Sequence, residues 1–386
     1  MVFSIFILLT KYLCKLQFVY FFIFYARETL SLLPFMRLKM CIIGLTLIYL
    51  GLSGVFIFQK TLYNRSAMNK EIRIISFLVL VAVVALWGVA PVVSKAAFDS
   101  FSPGMLIALR GAFAIVVMTI IINKNFKKLD KSYLICIPAG VFLALAYIFQ
   151  FVGLKYTVPS KNTFLENISC ITIQLFMFLF IREKPTWYSI VSGLICVAGS
   201  LILVGNGFNF LNFFKSGSLL GDGLSAIGGL FFGLDIAFTK VFCKGKDPLI
   251  YVFLQICIMT VISFAYAFIF EGQVFGVLDY AFNVRSILMV AFLGIICTAV
   301  CWVSRAWAMR YVDAMTVSLL VPLSAVVATC LSIAYQMEEF TINLLVGGVI
   351  IMVSIALSAI FDYRRGCKID KSEEVIEADE PNQSQL

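Results

Sequence analysis

From Ile72 to Phe361 the chain is a succession of apolar runs near the length that crosses a bilayer, and most charges fall in the gaps between them. A hydrocarbon core takes about 20 apolar residues of helix. We read ten such runs, at 72–98, 104–122, 133–154, 160–181, 187–204, 221–242, 248–270, 286–309, 314–336 and 341–361. In lipid, each backbone group must find its hydrogen bond within the segment, so the runs are predicted as helices. Composition agrees, since 62% of residues are hydrophobic and 13% charged, against about a quarter charged in soluble domains. The predicted class is an all-α membrane protein.

The net charge of +9 would suggest nucleic acid in a soluble protein, but here it has a simpler origin. With Met68 on the cytoplasmic side, the inner side receives Lys70, Arg73, Lys124, Lys127, Lys128, Lys131, Arg182, Lys184, Lys244, Lys246, Arg310, Arg364, Arg365 and Lys368. The outer side receives only Lys155, Lys161, Lys215 and Arg285. This bias is the positive-inside pattern. It places both ends of the ten-helix unit in the cytoplasm of a multi-pass protein of the plasma membrane.

Two flanks stand apart. Residues 1–67 form an apolar extension with candidate spans near 3–25 and 41–58, and Met68 opens a cleaner sequence. We expect the extension to be dispensable. Residues 362–386 are polar and acidic toward the end, too poor in apolar content to fold, and are expected as a disordered cytoplasmic tail.

The central unit repeats. At a separation of 145, Trp87-Gly88 meets Phe232-Gly233, Lys95 meets Lys240, Pro103 meets Pro248 and Arg110 meets Gln255. At a separation of 155, Lys155-Tyr156 meets Arg310-Tyr311, Glu183 meets Glu338 and Gly193 meets Gly348. The repeats are 72–205 and 221–361, five spans each, and an odd number makes them enter the membrane from opposite sides. Inverted repeats of this kind are an architecture of secondary transporters, with the substrate between the halves.

W-G-x-x-P-x-x-x-K at 87–95 is followed by Ser102-Pro103 and Leu109-Arg110. Further marks are L-K-Y-T at 154–157, R-E-K-P at 182–185, G-D-G-L at 221–224, Asp247-Pro248, Val321-Pro322 and M-E-E at 337–339. In order and spacing the set resembles the drug/metabolite transporter superfamily, EamA type, over residues 74–361. The resemblance implies ten helices in two EamA domains and export or exchange of small metabolites without ATP. Glu166 departs from it, standing where relatives carry a small or hydroxyl residue, as does Asp235 in a usually apolar span.

Charges inside spans are expensive and mark cavities or partners. Arg110 and Glu166 each lie six residues into an inward-running span, about 9 Å deep at helical rise, and Lys95 lies near the outer end of its own. Trp87, Pro91 and Lys95 share a helix face. The substrate-binding candidates are Trp87, Lys95, Arg110, Trp302 and Arg305, with Phe231 and Phe232 as further aromatic walls. Proton coupling falls to Glu166 or Asp235, because the chain has no His. Pro91 and Pro322 are candidate helix kinks. Structural alternatives stay open at this stage. Lys95 can snorkel to headgroups, and Asp235 can simply neutralise Arg305.

Function classes narrow accordingly. There is no phosphate loop, no Ser-His pair and no metal-ligand spacing, and the 11 Cys carry no C-x-x-C pair. We expect no enzyme, cofactor, metal or nucleic-acid partner. The expected partners are a small-molecule substrate such as an amino acid or related organic solute, the lipid bilayer, and protons; a homodimer is left open. The alternatives are a lipid or sugar-phosphate translocator of the same fold, and a non-transporting membrane-embedded enzyme or partner protein.

Overall fold

The computed structural model describes residues 68–122, 130–182, 187–204, 219–243, 245–272, 284–312 and 320–337, with Val317 and scattered positions from 342 to 357. The N-terminal extension, the acidic tail and about half of the tenth predicted span lie outside the described residues. Every described element is a helix. In order these are α1 (Met68–Ala97), α2 (Pro103–Ile122), α3 (Ile137–Tyr156, entered through a 3-10 turn), α4 (Pro159–Glu166), α5 (Ser169–Ile181) and α6 (Trp187–Val204). The second half follows as α7 (Leu219–Phe242), α8 (Pro248–Tyr266), α9 (Val284–Phe292), α10 (Cys301–Ala308) and α11 (Leu323–Ala334). A π-helical stretch, Leu293–Val300, joins α9 and α10 into one rod.

Among the described residues six helices are long and apolar enough to cross a membrane. Their outer faces expose Ile120, Val261, Phe268 and Phe270, as a lipid-facing surface requires. Local chemistry sets the boundaries. Pro103, Pro159 and Pro248 each stand at the first position of a helix, where a missing N–H costs nothing. Asp247 caps α8 by accepting from Leu249 N, and Asp130 caps the turn before α3 by accepting from Ser132 N. The free N-terminus of α2 is capped from elsewhere, by Glu271, which accepts from Gly104 N and Ser102 Oγ.

The packing obeys a two-fold exchange of the halves. α7 lies along α3, and α1 correspondingly along α10. α8 packs on α3, and α2 on the π-helical stretch of its counterpart; α11 packs on α1, and α5 on α7; α2 meets its own counterpart α8. The same symmetry holds atom by atom. A Cβ on Gly88 would meet Ser324 O at 2.6 Å and Val327 Cβ at 2.7 Å, and one on Gly233 would meet Thr172 Cβ at 2.6 Å and Ser169 O at 3.0 Å. These four contacts are counterparts, and only glycine lets the two helices approach so closely.

The fourth predicted span is not one helix. It breaks at Asn167-Ile168 into α4 and α5, and the ninth has a turn at Val321-Pro322, within one residue of the counterpart position. Pro322 therefore ends a helical segment and starts α11, while Pro91 sits inside an α1 that continues through it.

Candidate functional site

The two helix breaks face a cavity between the halves. Its lining includes Trp87, Ala90 and Pro91 from α1, Arg110 from α2, Tyr147, Gln150, Phe151 and Leu154 from α3, and Glu166 and Ser169 beside the first break. From the second half come Phe232, Ile236, Trp302, Arg305 and Val321. Ten of these are five counterpart pairs: Trp87 with Phe232, Pro91 with Ile236, Tyr147 with Trp302, Gln150 with Arg305, and Glu166 with Val321. The cavity thus straddles the two-fold axis. Tyr147 and Trp302 mark that axis, because counterparts can touch only there, and Trp302 Nε1 donates to Tyr147 Oη at 2.9 Å.

The chemistry lies where the pairs differ. Arg110 is 1% exposed. Its Nε donates to Thr298 Oγ1 at 2.9 Å and one Nη to Tyr147 Oη at 3.3 Å, with the guanidinium 4.5 Å from the Tyr147 ring centroid. It has no carboxylate partner among the described residues. Since Tyr147 Oη already receives two donors, its own O–H is free to donate to a guest. Glu166 accepts from Gln150 Nε2 at 2.6 Å. The hydroxyl of Ser169 and the amide of Asn167 are buried without partners among the described residues.

The second half carries an arginine, a glutamine and a carboxylate too, in another arrangement. Arg305 Nη1 stands 3.0 Å from Asp235 Oδ2, both side chains fully buried, and Gln255 Nε2 donates to Asp235 Oδ1 at 2.6 Å. The ion pair is off the N–H direction, and none of the three guanidinium nitrogens makes a hydrogen bond within the described residues. The guanidinium instead stacks 4.0 Å over Trp302. One half therefore holds a closed acid–base pair, and the other a cation and an acid, each with a neutral partner.

Trp87, Pro91, Arg110, Glu166, Trp302 and Arg305 thus meet in one cavity. Asp235 lies behind Arg305 rather than in the lining. Lys95 is elsewhere, with its ammonium held by Leu154 O at 2.8 Å, Thr157 O at 2.9 Å and Lys155 O at 3.1 Å. Phe231 packs on Phe142 and Phe149, away from the cavity lining. Lys161, counted with the outer loops, is buried in an ion pair with Asp222, which also accepts from Thr157 Oγ1 at 3.0 Å. The L-K-Y-T and G-D-G-L motifs are thereby one polar joint between α3, α4 and α7. Tyr147 and Gln150 escape a reading of the sequence, although each is the counterpart of a residue it singles out, Trp302 and Arg305. For Thr298 the sequence holds no signal.

Residues 74–205 and 219–360 each match the model of the EamA-like transporter family. A protein of Archaeoglobus fulgidus described as an uncharacterized transporter is 25% identical over 287 residues, covering 74% of this chain and 86% of its own length. The uncharacterized transporter YoaV of Bacillus subtilis strain 168 is 24% identical over 301 residues, covering 74% of this chain and 97% of its own. A solved crystal structure superposes with a TM-score of 0.62 at 17% identity, over 74% of this chain and 98% of the other, which shows a shared fold.

Proposed function

This chain belongs to the EamA-like transporter family, and we propose that it is a plasma-membrane secondary transporter that moves a small organic anion or zwitterion, such as an amino acid, by alternating access. The single observation that carries the reading is Arg110, a buried guanidinium facing a cavity on the axis between two halves, with no carboxylate in direct ion-pair contact among the described residues. A buried cation left in that condition is costly, and a guest carboxylate supplies the missing charge. Tyr147 Oη–H and the Ser169 hydroxyl offer further donors, and Trp87, Trp302 and Phe232 supply apolar walls. Broken helices at the mid-membrane site of an inverted repeat are a recurring feature of such carriers.

The ten-span count, with both ends of the repeat unit cytoplasmic, belongs to the same proposal and rests on the Lys and Arg distribution. Glu166 is assigned the coupling proton. It is a carboxylate in the same cavity, bonded to the neutral Gln150, so an arriving ammonium or a proton can compete for it. The test is uptake of labelled amino and hydroxy acids into liposomes holding the purified protein. Uptake that Arg110→Gln abolishes while leaving the folded yield intact supports the reading. Equal uptake by Arg110→Gln and the parent would refute the anion site.

A further inference from the structure

By sequence Lys95 is a cavity cation, and nothing assigns a role to Lys240. They are counterparts, and the atoms they bind are counterparts as well. Lys95 Nζ donates to Leu154 O and Thr157 O. Lys240 Nζ donates to Met309 O at 2.6 Å and Val312 O at 2.6 Å. Residues 154 and 157 plus 155 give 309 and 312. Each lysine crosses from the first helix of its half to the last turn of the third, whose terminal carbonyls lack helical partners. An ammonium has three donors and suits the negative end of the helix dipole.

The two clamps sit at opposite ends of the bundle. Gly153, near the end of α3, faces Gly221 and Ser225 at the start of α7, while Phe142, earlier in α3, meets Phe238 near the end of α7. α3 and α7 are therefore antiparallel. Lys95 works at the end where α7 begins, and Lys240 where α7 finishes. Leu154, whose carbonyl Lys95 holds, lines the cavity; its counterpart Met309 does not. The cavity reaches the first clamp and stops short of the second.

We propose that Lys95 and Lys240 are the two latches of alternating access, Lys95 closing the outer exit of the cavity and Lys240 the inner one, each released in the half-cycle that opens its side. This rests on the transport reading and its orientation. Both latches are closed here. Hydrogen bonds to a charged donor are strong enough that losing a latch shifts the balance of outward- and inward-open states by about tenfold.

The experiment uses a full-length protein with the native cysteines replaced and Ser169→Cys as the sole thiol, in vesicles, with a membrane-impermeant maleimide added from either side. In the parent the thiol must react from both sides; reaction from one side alone overturns transport itself. Lys95→Gln should raise the outer-to-inner ratio of labelling rates about tenfold, and Lys240→Gln should lower it about as much. Opposite shifts with the sides exchanged would support the latches and overturn the orientation. Shifts in the same direction, or none, in variants that stay monodisperse would overturn the latches. A second measurement needs no lysine substitution. Maleimide attached from outside props the outer exit open, and should raise acylation of Lys95 several-fold by an amine reagent while Lys240 stays protected. Equal reactivity of the two lysines overturns the proposal.

Discussion

Asp235→Asn removes one charge from the chain while leaving its shape almost unchanged. The new amide keeps an oxygen to accept from Gln255, but its NH2 then faces Arg305, so the attraction for Arg305 is lost and a donor is set against a donor. At 3.0 Å and an effective dielectric of about 20, that attraction is roughly 5–6 kcal/mol. Removing one partner of a buried pair costs about 3–5 kcal/mol, because the other charge is left uncompensated. Arg305→Gln should be less damaging on the Asp235 side, since a lone carboxylate can take up a proton, but it also forfeits the stacking on Trp302, about 1–2 kcal/mol. The double variant has neither charge and should recover most of the loss, with a coupling energy of about 2–3 kcal/mol. The assay is unfolding of the four proteins in one detergent. If Asp235→Asn lowers stability by less than about 1 kcal/mol, Arg305 has another counter-charge and the buried acid–base pair is not what holds the second half.

Gly88→Ala should push α1 and α11 apart and Gly233→Ala should push α7 and α5 apart, each costing about 1–3 kcal/mol; thermal melting in detergent should give similar losses for the two, and a neutral result at either site refutes the close approach. Glu166→Gln should exchange substrate at equal pH but lose its response to an imposed pH gradient, whereas a response like the parent's removes Glu166 from coupling. Asp130 is held below the ordinary carboxylate value of 3.8 chiefly by the Ser132 hydroxyl, so its capping is present above that value and lost as pH falls below it. Parent and Asp130→Ala should therefore differ in melting temperature near neutral pH and converge as pH falls well below 3.8; a gap that persists in acid counts against the cap.

Six of the spans and the repeat are legible in the sequence because hydrophobic length and two fixed offsets survive in one-letter code. The charged and tryptophan members of the cavity lining stand out in the sequence, as charges and tryptophans are rare inside apolar runs and must face something. What escapes is chemistry without a side-chain signature. Lys95 is held by carbonyls, which every residue possesses, so its spacing from Pro91 suggests a cavity face instead. The break at Asn167 falls inside an apolar run, and only its alignment with Pro322 hints at it. Lys161 counts with the outer loop because it stands at the very edge of its apolar run, yet Asp222, distant in sequence, lets it be buried.

The contact between Tyr147 and Trp302 bears on how a chain of this shape can arise. A residue on the axis of a perfectly symmetric pair faces its own copy. Two tryptophans there would set donor against donor, since an indole offers an N–H and accepts nothing in return. A tyrosine opposite a tryptophan resolves this, because a phenol oxygen accepts. Fusing two copies into one polypeptide is what allows the two positions to diverge, so a polar contact at the centre of the molecule is open to a duplicated gene in a way that a homodimer of identical tryptophan-bearing halves could not match.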